Sequence, residues 1–390
     1  MPLPRNVSYW WFVLGREPML SAAEIAAVLS LKNIKITPTD KILRVVAPKE
    51  TPAELIKKLG GTVRIGQELS VGLKLEQLKE TIKKELLGHE NKVNFGISWL
   101  GQESEPIIKK LGLTIKKELR AENISARYVP SEGDMLNAAT IKGNKLIDKG
   151  FEFLICQDED GYGLAKTLAI QPFAEFSERD YGRPGRDDLS GMLPPKLAMM
   201  MINLAEVNKK NAVLDPFCGS GTILSEAMLL GYTNLTGSDI SEKAIKDTKI
   251  NLDWLNKELN KVKLFTADAT EISKQIKSNS VNSIITEPYL GQPRKGNEPK
   301  DQIEQQATEL KQLYLASLKE FYKILKPGGQ IVFIVPCFKI REGWVRVIKN
   351  EVEIEKIGFT FNPLLPNCNF LRYWRPGQFV GREVWRFKKS

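Results

Sequence analysis

The sequence predicts an α/β protein with a doubly wound C-terminal domain and smaller α+β domains before it. Three observations support this fold class. Residues 1–75 run in a β-α-β-α-β order of short strands and helices. Beyond residue 191, apolar strand-like runs alternate with helical segments, as in a parallel sheet covered by helices on both faces. A glycine-rich turn lies where the first strand of this C-terminal series meets its helix.

Residues 1–75 are predicted to form a ferredoxin-like domain. Its first strand is YWWFVLG, and the helix SAAEIAAVLS follows with a capping-box pattern, Ser21 as the cap and Glu24 three residues later. A second helix has Thr51 as its cap and Pro52 at its first position. The remaining apolar runs of this segment are predicted strands.

Residues 76–170 are predicted to form a second α+β domain, with two lysine-rich amphipathic helices and a hairpin that turns at Asp160-Gly161. Residues 171–190 are rich in proline, glycine and charge, which predicts an ordered linker. Residues 191–390 hold the alternating strands and helices of the doubly wound domain. Ligands of such sheets bind outside the carboxyl ends of the strands, near the switch point.

The most informative stretch is VLDPFCGSGT at residues 213–222. It predicts a strand, a tight glycine turn and a helix, so that backbone N–H groups and a helix N-terminus approach a ligand closely. It differs from a P-loop because no GK[ST] follows, and it lacks the third glycine of the dinucleotide fingerprint. The candidate cofactor-binding residues of this turn are Asp215, Pro216, Phe217, Gly219, Gly221 and Thr222.

Two further strand ends carry candidate cofactor-binding residues. Asp239 ends the strand NLTGSDI, where a carboxylate can accept hydrogen bonds from ribose hydroxyls. The alternative is that Asp239 caps the next helix, a role for which Ser241 is the better candidate. Asp268 ends the strand KLFTADAT, and it could equally be a turn former. The neighbouring residues Ile240 and Ala269 complete this set.

The composition excludes several classes of function. Four cysteines lie far apart without CxxC spacing, which predicts free thiols in a reducing cytosol and no metal site. The single histidine, His89, lies in a polar segment that gives no support to a Ser-His or Cys-His hydrolase. No run of about 18 apolar residues exists, so no membrane span is expected. A cytoplasmic protein is expected, with a monomer favoured.

The charge favours a polyanionic partner such as nucleic acid, although a merely soluble basic protein has the same property. The formal net charge is +10, and residues 321–390 contain 13 basic and 5 acidic residues. Near the C-terminus, Arg372, Arg375 and Arg382 alternate with aromatic residues. This pattern suits either a surface that stacks bases and binds phosphates or a final hairpin with a packed aromatic face.

The turn DPFCGSGT resembles the S-adenosylmethionine-binding turn of class I, Rossmann-like amino-methyltransferases. Together with YWWFVLGREPMLSAAEIAAVL and RDYGRPGRDDLSGMLPPKLAMMMINLA, the chain is similar to the THUMP-containing tRNA guanine-N2 methyltransferases of the guanosine-10 group. The resemblance covers nearly the whole length and identifies residues 76–170 with an RNA-binding THUMP domain. It implies S-adenosylmethionine as cofactor, tRNA as substrate and methylation of guanine N2. It also implies that Asp268 binds the adenine amino group.

The segment IITEPYLG at residues 284–291 occupies the place of the catalytic Asp/Asn-Pro-Pro-Tyr motif of such enzymes. In that motif a side-chain oxygen and a backbone carbonyl accept the hydrogens of an exocyclic amino group, and the aromatic ring stacks on the base. Here the candidate catalytic residues are Thr286, Glu287, Pro288 and Tyr289. Either Glu287 accepts from the amino group, or Thr286 does so weakly, or the site has another role. Tyr289 keeps the stacking ring.

Two other functions fit the sequence. One is a DNA amino-methyltransferase acting on adenine N6 or cytosine N4, which shares the catalytic fold. The other is a non-catalytic RNA-binding protein that has kept the fold. The resemblance favours a tRNA methyltransferase over both.

Overall fold

The computed structural model describes residues 7–34, 36–37, 40–87, 92–101, 105–158, 160–186, 191–255, 262–366 and 368–390. His89 lies outside these residues. The chain divides into two compact units. The first is built from Met1–Pro18, Ile36–Lys58 and Thr62–Phe173, and the second from Met19–Lys35, Leu59–Gly61 and Ala174–Ser390.

The described residues form the following elements in chain order. The strands are β1 Tyr9–Leu14, β2 Ile42–Val46, β3 Thr62–Leu73, β4 Val93–Trp99, β5 Ala126–Val129, β6 Gly150–Asp158, β7 Gly161–Ile170, β8 Val213–Asp215, β9 Leu235–Asp239, β10 Val262–Thr266, β11 Val281–Thr286, β12 Leu325–Ile340, β13 Gly343–Arg346, β14 Phe359–Phe361, β15 Phe370–Tyr373 and β16 Val380–Lys389. The α-helices are α1 Pro18–Leu29, α2 Pro52–Leu55, α3 Leu75–Leu87, α4 Glu105–Ala121, α5 Ala138–Gly143, α6 Phe173–Ser177, α7 Pro195–Leu204, α8 Thr222–Leu229, α9 Glu242–Trp254, α10 Lys300–Ile324 and α11 Val352–Glu355.

The first unit contains a seven-stranded sheet in the order β2-β1-β3-β7-β6-β4-β5. Strand β3 pairs with β7, so residues on both sides of the predicted boundary at 75/76 share one sheet. The predicted hairpin is present, with β6 and β7 antiparallel. Helices α3 and α4 pack on the sheet through buried apolar residues that include Ile82 and Ile115. Thr51 caps α2 in a complete capping box with Glu54, as the sequence predicts for this cap.

The second unit has a sheet in the order β10-β9-β8-β11-β12-β16-β14, which confirms the predicted α/β fold. Strands β10, β9, β8, β11 and β12 are parallel, and β16 is antiparallel to both β12 and β14. The chain direction across the sheet reverses between β8 and β11. This switch point is where ligands of doubly wound sheets bind. The core between the sheet and α10 includes Tyr314, Phe321 and Phe333, all fully buried.

The capping box predicted for Ser21 and Glu24 is wrong. Helix α1 begins at Pro18, so Ser21 and Glu24 both lie inside it. The fully buried Glu24 accepts hydrogen bonds from the backbone N–H groups of Gly60 and Gly61, each at 2.8 Å, and from Asn203 at 2.7 Å. Burial raises the pKa of Glu24 to about 7, against the lowering effect of these hydrogen bonds. The glutamate is therefore a tertiary anchor of the second unit.

The first part of the predicted linker is helical. Helix α6 continues into a π-helical turn at Glu178–Gly182. Arg179 in this turn forms an ion pair with the buried Glu226 of α8, at 2.6 Å. The chain near its C-terminus forms the packed-hairpin alternative, since β15 pairs with β16 and Phe370 stacks on the buried Trp385 with a ring-centroid distance of 5.3 Å. Among the described residues, none of the helices combines the length and the apolar character that crossing a bilayer requires.

Candidate active site

A cavity of about 580 Å³ lies at the carboxyl ends of β8, β9 and β11 and beyond the end of β10, in the second unit. This volume is in the range of about 300–1,000 Å³ that is usual for ligand pockets. Twelve of the fourteen candidate site residues line it: Asp215, Pro216, Phe217, Gly219, Thr222, Asp239, Ile240, Asp268, Ala269, Glu287, Pro288 and Tyr289. Gly221 and Thr286 are the two that do not.

The glycine turn forms one wall of the cavity. Gly219 has φ +50°, and a Cβ built on it would meet no atom within 4 Å, so the bare backbone faces open space. Gly221 has φ +84°, and a Cβ there would lie 2.8 Å from the Thr248 side chain. Gly221 therefore allows the left-handed backbone and lets α8 pack closely on α9. Gly219 leaves room for a ligand to approach the backbone.

Asp239 combines support of this turn with free acceptor capacity. Its Oδ2 accepts from the N–H of Gly219 at 2.9 Å, and its Oδ1 accepts from the N–H of Ser241 at 2.9 Å. A carboxylate offers about four acceptor positions, so two remain for hydroxyl donors. Ser241 caps α9 by accepting from the N–H of Ala244, which confirms the predicted cap. The Asp239 carboxylate thus fixes the shape of the glycine turn and still reaches the cavity.

The floor near the end of β10 holds Asp268 and Ala269. Asp268 is exposed and caps the 3₁₀ helix Ala269–Lys274, its Oδ1 accepting from the N–H and the hydroxyl of Thr270 at 2.8 and 2.7 Å. It is therefore a turn former and a cavity residue at once. Ala269 is buried, whereas Ile240 is 71% exposed beside the cavity. An exposed apolar side chain next to a polar cleft suits contact with a flat aromatic ligand group.

Asp215 and Thr286 end the neighbouring parallel strands β8 and β11, and they bind each other. The Thr286 hydroxyl donates to Asp215 Oδ1 at 2.7 Å, and the Phe217 N–H donates to the same oxygen at 3.3 Å. Burial raises the pKa of Asp215 to about 7, and the nearby charges of Asp239 and Glu287 act in the same direction. Thr286 was a candidate acceptor for the substrate, but its side chain is fully buried. The structure instead makes it a hydrogen-bond donor that supports Asp215.

Glu287 lies on the cavity wall and is bound by an arginine from β16. Arg382 Nε donates to Glu287 Oε1 at 2.6 Å, and Arg382 Nη2 donates to Oε2 at 3.4 Å. The two side chains are only 8% and 12% exposed. Burial lowers the pKa of Arg382, but the Glu287 charge and hydrogen bond outweigh it, so the net direction is upward. This arrangement holds the Glu287 carboxylate in a fixed position on the cavity wall.

Tyr289 presents its ring to solvent at the same mouth, with 47% of the residue exposed. Its backbone carbonyl accepts a hydrogen bond from the hydroxyl of the buried Tyr314, at 2.6 Å. The backbone of the TEPY loop is therefore tied to the core of the unit, while the ring is left uncovered. An exposed aromatic ring on a fixed loop can stack on a planar base.

Some cavity residues are not among the predicted site residues. Gly191, Met192 and Leu193 line the cavity just before α7, and Lys243 and Asp247 line it from the first turns of α9. Lys243 and Asp247 form an i,i+4 ion pair at 2.5 Å, a spacing that the sequence does contain.

The segment before α7 is attached to the glycine turn by two side chains. Asn251 donates to the carbonyl oxygens of Gly185 and Ser220, each at 2.8 Å. Arg183 donates to the hydroxyl of Thr222, the first residue of α8. Residues 183–185 are thereby attached to the glycine turn and to α8.

The comparisons with known proteins found methyltransferases. Residues 183–342 match the family model described as an RMKL-like methyltransferase domain, and residues 70–250 match a DNA methylase model. A tRNA (guanine(10)-N2)-dimethyltransferase of Methanocaldococcus jannaschii is 25% identical over 335 residues, covering 83% of this chain and 89% of the relative.

Two solved structures share the fold. TrmN from Thermus thermophilus has a TM-score of 0.57 at 16% identity, covering 98% of this chain and all of that one. SMU.472 complexed with SAH has a TM-score of 0.54 at 12% identity, covering 99% of each chain. At these identities the likeness concerns the fold alone.

The fold and the cleft define a class I S-adenosylmethionine-dependent methyltransferase. The cleft fits this cofactor. Its lining combines the open backbone at Gly219 with the carboxylates of Asp215, Asp239, Asp268 and Glu287, which suit a cationic ligand. Over most of its length, the chain resembles the tRNA (guanine(10)-N2)-dimethyltransferases, as the sequence predicts.

Proposed function

We propose that this enzyme methylates the exocyclic N2 of guanine in tRNA, at position 10. The observation that carries the proposal is the placement of Glu287, Pro288 and Tyr289 on the wall of the same cavity as Asp239 and Asp268. A loop that can hold a base therefore adjoins a cleft that can hold the methyl donor. The M. jannaschii relative, which aligns with 83% of this chain and is named for guanine N2 methylation of tRNA, supports this target atom and this substrate.

The proposed cofactor contacts follow the cavity wall. Asp239 accepts from the ribose hydroxyls, and Asp268 accepts from the adenine amino group beside Ile240 and Ala269. Asp215, Pro216, Phe217, Gly219 and Thr222 surround the methionine portion, and Gly221 gives the turn its backbone shape. S-adenosylmethionine supplies an electrophilic methyl group when bound.

The proposed catalytic group is the TEPY loop. The N2 amino group of guanine is a poor nucleophile because its lone pair is delocalised into the ring. The Glu287 carboxylate accepts one amino hydrogen, a backbone carbonyl of the loop accepts the other, and the Tyr289 ring stacks on the base. These contacts favour a pyramidal nitrogen with its lone pair directed at the methyl group, so the rate gain comes from orientation and electrostatics. Pro288 restricts the backbone between the two contacting residues.

We also propose that the first unit binds the RNA, with residues 76–170 acting as a THUMP domain. Part of its lysine content is internally neutralised, since Lys79 and Lys83 both form ion pairs with Glu118 of α4. Helix α4 itself carries five cations that form no ion pair with any described residue: Lys109, Lys110, Lys116, Lys117 and Arg120. These side chains are the ones we expect to meet phosphates.

Mass spectrometry of nucleosides provides the test. Purified protein is incubated with S-adenosylmethionine and an unmodified tRNA transcript, and the product is digested and analysed. We expect N2-methylguanosine from the transcript and none from a transcript with adenosine at position 10. Methylation elsewhere would remove the position claim, and the absence of N2-methylguanosine from any tRNA would remove the substrate claim.

A DNA amino-methyltransferase is the second candidate, because a DNA methylase model also matches part of the chain. The same assay with duplex DNA as acceptor distinguishes the two functions. Transfer to adenine N6 or cytosine N4 in DNA, with none to tRNA, would establish the second candidate in place of the first.

A further inference from the structure

A group of tryptophans and cations lies at the carboxyl end of β12 in the second unit. We call it the tryptophan cluster, and it consists of Lys339, Trp344, Arg372, Trp374 and Arg375. The rings of Trp344 and Trp374 meet edge to face at a centroid distance of 5.7 Å. Lys339 Nζ lies 5.1 and 5.6 Å from their centroids, and Arg372 Cζ lies 4.5 Å from that of Trp344.

The strand pairing shows which face of the sheet carries this cluster. Lys339 lies one residue before the end of β12 and pairs with Trp344 of β13. Tyr373, between Arg372 and Trp374, pairs with Arg382 of β16. Arg382 is the residue that binds Glu287 on the cavity wall. Because successive side chains of a strand point to opposite faces, Arg372 and Lys339 lie on the face of the sheet opposite to Arg382.

The cluster carries unneutralised positive charge. Arg372 shares one carboxylate, that of the buried Glu383, with Arg346. Within the described part of the chain, Lys339 and Arg375 have no ion-pair partner, and Arg375 donates instead to the Tyr373 hydroxyl at 2.8 Å. Both tryptophans are only half-buried. A cluster that served packing alone would bury its rings and pair its cations.

The chemistry of this surface matches a nucleic-acid strand. Exposed aromatic rings stack on bases of any sequence, and cations beside them neutralise the phosphates on either side. Cation–π contacts hold Lys339 and Arg372 at the rings, so that ring and charge are presented together.

We propose that the tryptophan cluster binds a part of the RNA substrate away from the target base. Trp374 and Trp344 stack on a base of that part, and Lys339 and Arg375 contact the phosphates. This inference rests on the proposed RNA substrate, and it adds a binding surface outside the cofactor cleft and the TEPY loop.

The test measures binding of an unmodified tRNA transcript to the full-length protein by fluorescence anisotropy over a series of salt concentrations. The variants are Lys339→Gln/Arg375→Gln and Trp374→Ala. Lys388→Gln is the matched control, because Lys388 is an exposed cation on β16 near the opposite edge of the sheet. Affinity for S-adenosylmethionine, measured by calorimetry, verifies that each variant is folded.

We expect the double variant to lower the slope of log affinity against log salt by roughly 1.4–1.8, since it removes two phosphate contacts. We expect Trp374→Ala to weaken binding about tenfold at a fixed salt concentration. The control should match the wild type. RNA should also quench the tryptophan fluorescence of the wild type more than that of Trp374→Ala.

Unchanged affinity and slope in both variants, in a protein that still methylates tRNA, would overturn the inference and leave the proposed function intact. If the cluster variants weaken RNA binding but the enzyme forms no N2-methylguanosine, the proposed methylation is wrong and the proposed RNA-binding role of the cluster is supported. A wild-type protein that binds no RNA contradicts both.

Discussion

Arg382 and Glu287 lie 95 residues apart in the chain, yet their side chains form an ion pair 2.6 Å long on the wall of the cavity. Glu287 follows β11, and Arg382 lies in the antiparallel strand β16. Between them runs β12, which pairs with both strands. The geometry makes Arg382 a positioning residue that holds the Glu287 carboxylate in one orientation.

Glu287→Gln should therefore lower kcat by about 100-fold, in the range found when one preorganised polar contact is removed, with little change in cofactor affinity. Arg382→Gln should lower kcat as strongly, because Glu287 loses its orientation and its counter-charge.

Arg386→Gln serves as the control for that pair. Arg386 lies four residues further along β16 and binds Glu206, so its loss removes an arginine ion pair away from the cavity. Steady-state kinetics provide the measurement. A Glu287→Gln enzyme with full kcat would show that the shifted carboxylate has no part in turnover.

Asp239→Ala should abolish detectable binding of S-adenosylmethionine in a calorimeter. The substitution removes both the acceptors proposed for the ribose and the hydrogen bond that holds the Gly219 N–H at 2.9 Å. Asp253→Ala, which changes an exposed aspartate near the end of α9, is the control and should bind normally. If the Asp239 variant binds S-adenosylmethionine as tightly as the wild type, Asp239 does not bind the ribose.

Tyr289→Ala should lose at least tenfold in turnover while keeping its affinity for the methyl donor, because it removes only the stacking ring. Tyr289→Phe should retain most activity. Tyr314→Phe should lie between them, since it removes the 2.6 Å hydrogen bond that holds the carbonyl of residue 289. Equal activity of the alanine and phenylalanine variants would mean that the ring does not stack on the base.

Affinity for S-adenosylmethionine should increase as pH rises from about 6 to about 8. The pKa of Asp215 is raised to about 7, so its carboxyl ionises over this interval, and the cationic ligand prefers the ionised form. Thr286→Val removes the hydroxyl that stabilises the ionised form at 2.7 Å, so the midpoint should move to higher pH. Calorimetric titrations at a series of pH values measure the midpoint, and a pH-independent affinity would contradict the prediction.

The free energy of unfolding should contain a pH-dependent contribution from Glu24. The pKa of this group rises from 4.5 in the unfolded chain to about 7 in the folded protein. The folded state therefore holds the proton more tightly, so the contribution is fully present below about pH 4.5 and is lost as pH rises through about 7. Its size is about 3 kcal/mol.

Glu24→Gln should flatten this part of the denaturation profile, whereas Glu271→Gln, at an exposed ion pair, should not change it. Urea unfolding at several pH values is the measurement. An unchanged slope in the Glu24 variant would show that this carboxyl titrates normally.

The sequence predicts those parts of the structure that depend on residues close together in the chain. The alternation of strands and helices predicts the doubly wound sheet, and the glycine turn with its strand-end aspartates predicts the cofactor cleft. In each case the residues that matter are neighbours along the chain or occupy equivalent ends of parallel strands.

The parts that sequence reasoning missed depend on partners far apart in the chain. The pattern Ser21-x-x-Glu24 has the form of a helix start, but tertiary hydrogen bonds to Gly60, Gly61 and Asn203 bind Glu24 instead. Thr286 donates to a residue 71 positions away, which no spacing rule reveals. Arg382 belongs to an arginine-aromatic run that suits RNA binding and hairpin packing equally well, and only the order of the strands places it at Glu287.

The second unit is built from three separate segments, Met19–Lys35, Leu59–Gly61 and Ala174–Ser390. This matters for experiments that exchange domains between such enzymes. A fragment cut at residue 174 keeps every cavity residue described above but lacks α1 and the Gly60-Gly61 turn, which lie against α7 at Met200 and Lys196. Its α7 would expose apolar surface and leave Asn203 without Glu24. The transferable catalytic module of this chain is therefore discontinuous, and a chimera has to carry all three segments together.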